Sequence, residues 1–348
     1  WGFGVGADDS YKLIDQYLDA GGNFIDTADV YSAWAEGHSG GESEEVLGKW
    51  LAARENREDV VIATKAGQHP EHSGQSREAV LGAIDASLER LQTDHVDLYY
   101  AHFDDESVTI EEQARVYDEV VRAGKARYVG LSNYSPDRMR QWFEFAKAEG
   151  LAVPVAIQPQ YNLLHRKDYE QGYREIAQEY DVAVFSYFSL ASGFLTGKYS
   201  SAEDLEGAAR KDFVSGYFSE TGIDAGLKVI DALKRVALNH DVEVTTAALA
   251  WLLAKGVTAP IASARTPEQL EALMAAPGVK LIQAEVDALW TAIREGRIDT
   301  IGSMGLVHLD YGEPVQIRPG PLATFYLVQI PLAGRAVVEQ GATRVQSS

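Results

Sequence analysis

Seven short apolar runs rich in Val, Ile, Phe and Tyr recur along the chain, and their alternation with amphipathic stretches constrains the fold more than any other feature. They lie at 23–28, 59–65, 96–102, 127–133, 155–162, 182–188 and 257–264, and each predicts a strand buried on both faces. Between them, 43–53, 76–92, 109–123, 135–148 and 168–180 carry apolar residues at helical spacing. In 76–92, for example, Val80, Ala83, Ile84, Leu88 and Leu91 share one face. Ser135 before Pro136 is a helix start, and Thr266-Pro267-Glu268-Gln269 predicts a capping box. Strands alternating with helices make parallel βαβ units with right-handed crossovers, which leaves an open doubly wound sheet or a closed eightfold barrel. The strand count favours the barrel, with the eighth strand expected before Trp1, because Trp1-Gly2-Phe3-Gly4 reads as a loop that follows a strand. No G-x-G-x-x-G follows the first run, which weakens the dinucleotide-binding open sheet.

A barrel of about 250 residues leaves room for a second module in a chain of 348. From about residue 297 the texture changes: 297–348 holds no Lys, with four Arg against four acidic residues, so the charge of −21 is essentially all upstream. Val307, Leu309 and Tyr311 alternate, as do Val315 and Ile317, and then Tyr326, Val328, Ile330 and Leu332, which predicts three or four antiparallel strands in a β-rich tail at 297–348. The barrel is expected at 1–296. A field this negative repels phosphate backbones and anionic lipid, so nucleic acid and membranes are not expected partners. The absence of Cys excludes disulfides, thiolate metal sites and a Cys nucleophile, and with no apolar run near the ~18 residues of a membrane span it fits a cytoplasmic protein.

In a parallel barrel, chemistry sits at the C-terminal ends of the strands. Those positions hold Asp26 and Tyr31, Lys65, His102, Ser132 and Asn133, Gln158 and Gln160, Tyr187, and Ser263 with Arg265. A lone strand-end Lys is usually a surface charge and a lone His a satisfied polar group. Here three consecutive strand ends offer Asp with Tyr, then Lys, then His. A phenol of unperturbed pKa about 10 is a poor acid near neutrality, but an adjacent ammonium favours its anion and eases proton donation. Lys65 can fill that role, with Asp26 holding it charged and oriented and His102 hydrogen-bonding the substrate oxygen. The set suits protonation of an oxyanion developing at a carbonyl. No side chain delivers hydride, so a nicotinamide is implied.

The segments FIDTADVYS (24–32), GGESEEVLGKWL (40–51), VVIATK (60–65), DLYYAH (97–102), KARYVGLSNYS (125–135), IQPQYNLLHR (157–166), LASGFLTGKY (190–199) and IASARTPEQL (261–270) resemble the aldo-keto reductase family. The closest likeness is to its bacterial branch related to potassium-channel β subunits. The resemblance implies an α/β fold, a (β/α)8 TIM barrel lacking most of its first strand and therefore open at one seam. It also implies NADP(H) as cofactor and a catalytic tetrad at Asp26, Tyr31, Lys65 and His102. By the same resemblance Asn133 and Gln158 hold the nicotinamide carboxamide, with Ser132 beside them and Asp26 and Trp1 also at the cofactor. Tyr187 stacks on the ring, and the segment through Phe188, Ser189 and Leu190 to Lys198 clasps the pyrophosphate. Ser263, Arg265 and Gln269 hold the adenosine end, and Arg265 favours NADP over NAD because a guanidinium can bind a 2′-phosphate through two hydrogen bonds. The Asn that usually follows the adenosine-binding Gln is replaced by Leu273.

The tail segment 305–338 resembles the start of the cupin-like effector domain of AraC-type regulators. It is too short to close that barrel, has no helix-turn-helix, and is read as a fusion or reading-frame fragment. The function expected is NADP-dependent reduction of a small-molecule aldehyde or ketone. Two alternatives stand beside it: a cofactor-binding regulatory subunit with little turnover, and a truncated inactive product. Substrate identity and oligomeric state are not legible.

Overall fold

The computed structural model describes residues 6–199, 201, 204, 214–218, 223–292, 299–301, 304–306, 337–340 and 343–346. The chain divides into two compact units, Trp1–Arg297 and Ile298–Ser348. In the first, seven parallel strands lie side by side in sequence order: β1 (Phe24–Asp26), β2 (Val61–Ala66), β3 (Val96–Ala101), β4 (Ala126–Ser132), β5 (Ala156–Gln158), β6 (Ala183–Ser186) and β7 (Ala259–Pro260). Each coincides with one of the seven apolar runs, β2 ending one residue beyond its run and β4 starting one residue before its own. Among the described residues β1 and β7 are the sheet's edges. The expected loop at Trp1 to Gly4 lies outside the described residues.

Two contacts show that the sheet curls on itself. The rings of Phe24 on β1 and Phe185 on β6 stack at 4.6 Å, and Gln158 on β5 donates to Asp26 on β1 at 2.8 Å. In a flat sheet, strands four or five places apart would stand about 19–24 Å from each other. Alternation along the strands then sorts the side chains. Phe24, Ala63, Leu98, Tyr100, Ala156, Ala183 and Phe185 form an inner cluster, while Ile25, Ile62, Tyr99, Val129, Leu131, Ile157 and Val184 join the larger core between sheet and helices. Gly130 makes room for this interior, since a Cβ there would lie 2.4 Å from the Tyr100 ring.

Helices α1 (Ala7–Asp19), α2 (Glu42–Arg54), α3 (Arg77–Leu91), α4 (Ile110–Arg122), α5 (Pro136–Glu149), α6 (Arg174–Tyr180), α7 (Ile223–His240), α8 (Val244–Ala254), α9 (Pro267–Met274) and α10 (Gln283–Thr291) accompany the sheet. Side-chain caps set the starts of α3, α4 and α5. Ser76 accepts from the Ala79 amide, Ser135 from that of Arg138, and Thr109 with Glu112 forms a reciprocal capping box. The box expected at Thr266 is only half formed: Thr266 accepts from the Gln269 amide, but the Gln269 side chain accepts from the Arg265 amide. The helix expected over 168–180 opens instead as a π turn at Tyr169–Tyr173, where Gly172 passes so close to α5 that a Cβ would sit 2.8 Å from Pro136 Cγ.

In the second unit, β8 (Asp299–Ile301) pairs antiparallel with β9 (Met304–Leu306), and β10 (Val337–Gln340) with β11 (Thr343–Gln346). The alternating segments expected at 307–311, 315–317 and 326–332 lie outside the described residues.

Gly48 tests the packing of α2 on the end of α3. A Cβ at this position would lie 2.1 Å from the Arg90 carbonyl oxygen and 2.7 Å from the Leu91 carbonyl carbon. Helix propensity favours Ala by about 1 kcal/mol, whereas overpacking against backbone costs typically 1–3 kcal/mol. Gly48→Ala is therefore expected to lower the melting temperature despite the better helix former, and a rise would show that α2 is free to move away.

Candidate active site

The ends of β1, β2, β3, β4 and β5 bring Asp26, Lys65, His102, Ser132 with Asn133, and Gln158 to one mouth. Lys65 is at its centre and is fully buried. Its ammonium has three hydrogens and three acceptors: Asp26 Oδ2 at 2.6 Å, the Thr27 carbonyl at 2.7 Å and Tyr31 Oη at 2.9 Å. Every donor is thus satisfied in the interior, which is the condition for keeping a charge there. Asp26 is shared, its second oxygen accepting from Gln158 Nε2. Burial by itself would pull the Lys65 pKa down, but the Asp26 carboxylate and the Tyr31 oxygen carry it above its ordinary value.

At Tyr31 the expected help from the Lys65 ammonium meets a larger opposing influence. The phenol's pKa is raised: burial is the largest influence, the Lys65 charge opposes it and the Asp26 charge adds to it. Lys65 softens the effect of burial without outweighing it, so the phenol stays protonated at neutral pH. Its ring stands edge-on to His102 at 6.2 Å and to Trp34 at 6.1 Å. Burial, with the Lys65 charge assisting, pushes the His102 pKa down to about 3, so the ring is neutral. Its Nδ1 is buried without a hydrogen-bond partner among the described residues.

The polar groups beyond the tetrad form one network. The Asn133 amide donates to the His102 carbonyl at 2.9 Å and to Ser132 Oγ at 3.0 Å, and its oxygen accepts from the Tyr187 hydroxyl at 2.7 Å. Ser132 donates to the Gln158 carbonyl at 2.8 Å. Asn133 adopts a left-handed φ of 56°, a conformation Asn tolerates better than most residues. Gln160, also at a strand end, is turned to Tyr217 at 2.9 Å instead.

After β6 the backbone is left-handed at Phe188, Ala191, Ser192, Gly193 and Gly197, and Ser189 is pinned back to the Ser186 carbonyl at 2.9 Å. Leu190 is half-buried and Lys198 is exposed, its ammonium over the Tyr199 ring. Ser263, Arg265 and Gln269 are all exposed around the start of α9, and among the described residues the Arg265 guanidinium has no carboxylate partner. Trp1 lies outside the described residues. Sequence reasoning missed Thr27, whose carbonyl is the third Lys65 acceptor, and Trp34, which is 62% exposed beside Tyr31. Nothing in residue type marks a main-chain acceptor, and an aromatic in a polar loop has no periodicity to reveal its place.

Comparison with known proteins bears on this arrangement. The model of the aldo/keto reductase family matches residues 1–294. The chain belongs to that family. It is 32% identical over 313 residues to aldo-keto reductase str7 of Strobilurus tenacellus, covering 88% of each chain. It is 33% identical over 271 residues to L-glyceraldehyde 3-phosphate reductase of Escherichia coli strain K12, covering 74% of this chain and 76% of that one. To a probable voltage-gated potassium channel subunit beta of rice (Oryza sativa subsp. japonica) it is 30% identical over 283 residues, 79% of this chain and 84% of the other. The AraC-binding-like domain model matches residues 296–348. Among the described residues no cluster of His, Asp or Glu could hold a metal ion, and no helix is long and apolar enough to cross a membrane.

Lys65→Met is expected to cost about 3–5 kcal/mol of stability, because it strands the buried Asp26 carboxylate. A chemical denaturation midpoint unchanged from wild type would refute that pairing. His102 carries a pH signature. Its folded-state pKa lies below the unfolded value, so its contribution is present above about 6.5 and is lost as pH falls toward about 3. NMR of the imidazole should show a neutral ring at about pH 5, where a free His is charged.

Proposed function

We propose that the chain is an NADP-dependent carbonyl reductase in which Tyr31 gives the proton. The observation that carries this reading is the buried ammonium of Lys65, 2.9 Å from the Tyr31 hydroxyl and 2.6 Å from Asp26, with the neutral His102 ring beside the phenol. Membership in a family with reductase-named relatives supports the reaction class.

The donor set fits a dinucleotide. Arg265 is a charged fork without a carboxylate partner among the described residues, at the N-terminal end of a capped helix, and it suits a 2′-phosphate with Ser263 and Gln269 beside it. The left-handed run from Phe188 through Ser189 and Leu190 toward Lys198 suits the pyrophosphate, because consecutive amides in such turns form concave anion sites. Ser132, Asn133 and Gln158 suit the carboxamide, and Tyr187, fixed through its hydroxyl to Asn133, offers its ring as a platform. When bound, the nicotinamide supplies the hydride.

The protein's own residues handle the proton. Lys65 donates into the Tyr31 oxygen, so the phenol's hydrogen is the one available to a substrate oxygen, and the ammonium favours the phenolate left behind. Asp26 and the Thr27 carbonyl keep Lys65 charged and aimed. His102, neutral and desolvated, hydrogen-bonds the carbonyl oxygen without competing for the proton. The substrate on this reading is a small carbonyl compound, with no nucleic-acid or membrane partner, and the location is cytoplasmic. The aligned rice and Arabidopsis proteins named as probable potassium-channel β subunits favour a second reading, a cofactor-binding regulatory subunit with slow turnover. Steady-state NADPH oxidation with a panel of aldehydes separates the two.

Tyr31→Phe is expected to lower carbonyl reduction by roughly 10²–10⁴-fold while NADPH still binds by fluorescence titration. Retention of more than about a tenth of wild-type turnover would remove Tyr31 from the role of acid. Arg265→Ala should weaken NADPH binding by about 1.5–3 kcal/mol and spare NADH, since only NADPH carries the 2′-phosphate. Equal weakening of both would place Arg265 elsewhere.

A further inference from the structure

Behind the tetrad lies a buried cluster of charges that the proton-transfer scheme does not use. Asp29 and Glu44 are both fully buried. Arg90 from α3 is the guanidinium beside them, and it is committed to Glu44, donating through Nε at 2.7 Å; Thr64 donates to the other Glu44 oxygen at 2.5 Å. Neither carboxyl oxygen of Asp29 has a hydrogen-bond partner in ordinary geometry among the described residues. Two carboxyl groups therefore share one guanidinium, whose hydrogen bond goes to Glu44, and Asp29 is left with the more distant Arg90 charge and the Val30 and Gly67 amides.

The position of Asp29 gives this imbalance a consequence. It follows Asp26 by three residues and precedes Tyr31 by two, and its amide donates to the Lys65 carbonyl at 3.1 Å. The Tyr31 amide in turn donates to the Ala28 carbonyl at 3.2 Å, so the loop that carries the phenol is folded around Asp29. The groups facing it are Glu44 from α2, Arg90 from α3, Tyr99 from β3 and Tyr117 from α4. The loop after β2 contributes His69, whose ring packs on Gly40 beside the Asp29 carbonyl. Only Arg90 and a protonated His69 are cationic, and burial together with Arg90 lowers the His69 pKa. A negative Asp29 would face the negative Glu44 in a buried setting, with only the Val30 and Gly67 amides and the shared Arg90 charge to favour it, and burial with Glu44 outweighs them.

We propose that Asp29 is a positioning residue for Tyr31: it is neutral in the assembled site, and its ionisation displaces the loop after β1 and draws the phenol away from Lys65. The inference rests on the reading of Tyr31 as the proton donor. Burial first and the Glu44 charge second push the Asp29 pKa up to about 7, so the switch lies near neutrality. The sign follows from linkage. The folded-state pKa exceeds the unfolded one, so the stabilising contribution is complete below about pH 4 and is lost as pH rises toward about 7.

The test compares wild type with Asp29→Asn, which keeps the shape of the neutral acid. Trp34 reports on the loop because its ring touches that of Tyr31, and subtracting the emission of Trp34→Phe isolates its signal. Between pH 6 and 8 the Trp34 emission should shift in wild type and stay constant in the Asn variant. The melting temperature of Asp29→Asn should gain on wild type by at least about 2–4 °C over the same range. With NADPH and an aldehyde, the wild-type rate should fall up to tenfold per unit above about pH 7, while the Asn variant, within about threefold of wild type at pH 6, should hold its rate to pH 8. Identical pH dependences in the two proteins, a wild-type emission that does not shift, or a response abolished by His69→Gln instead would overturn the proposal. If emission and melting behave as expected but wild type reduces no carbonyl, the reductase reading fails while the coupling of Asp29 to the Tyr31 loop stands.

Discussion

A lysine ammonium with no solvent exposure is the constraint around which the first unit is organised. Taking such an ion out of water costs several kcal/mol even after relaxation. Lys65 meets the cost with three acceptors drawn from one turn of chain, Asp26, Thr27 and Tyr31, all on or just after β1. The bond from Gln158 to Asp26 crosses the interior from β5 and holds the carboxylate against the ammonium. Sheet curvature and charge burial are therefore one problem. Unless the sheet curls far enough to bring β5 opposite β1, Asp26 loses a donor and Lys65 loses part of its compensation.

The same buried charge sorts the protonation states around it. His102 is neutral because burial and a neighbouring cation both disfavour a second positive charge. Tyr31 is protonated because burial outweighs the help Lys65 gives to its anion. In the proposed role this balance is useful, because an acid must still hold its proton when the substrate arrives and must release it only when negative charge develops beside it. A phenol too strongly activated at rest would already be ionised.

How much of this was legible in the sequence follows from what each feature depends on. Parallel strands are largely covered on both faces, so β1 to β7 appear as short apolar-rich runs, and strand-end position alone collects Asp26, Lys65, His102, Asn133 and Gln158. The sign of the Tyr31 shift was not legible, because it depends on the depth of burial against a charge, and neither is written in residue type. Glu44 and Arg90 look in sequence like the surface charges of amphipathic helices. Only the three-dimensional approach of α2 and α3 to β2 turns them into an interior pair, which Gly48 permits by letting the backbones nearly touch. The π turn at Tyr169–Tyr173 escaped for a related reason, since the periodicity of 168–180 is helical and the widening belongs to the contact of Gly172 with Pro136.

The two ends of the proposed dinucleotide site are built on opposite principles, and the contrast has a physical basis. Lys65, Ser132 and Gln158 are buried and hydrogen-bonded to other protein groups, so the reacting end is organised before any ligand binds. Ser263, Arg265 and Gln269 are exposed, and Arg265 keeps its guanidinium in water. An exposed guanidinium carries no desolvation cost in the free protein and gains a charge-assisted contact only when a phosphate arrives, so its energy goes to choosing between ligands rather than to folding. A buried guanidinium in the same place would need a carboxylate partner to fold and would then have to break that pair to bind. Placing the permanent ion pair at the chemistry and the unpaired cation at the rim lets the fold be stable and the cofactor exchangeable, two demands that a single buried site could not meet together.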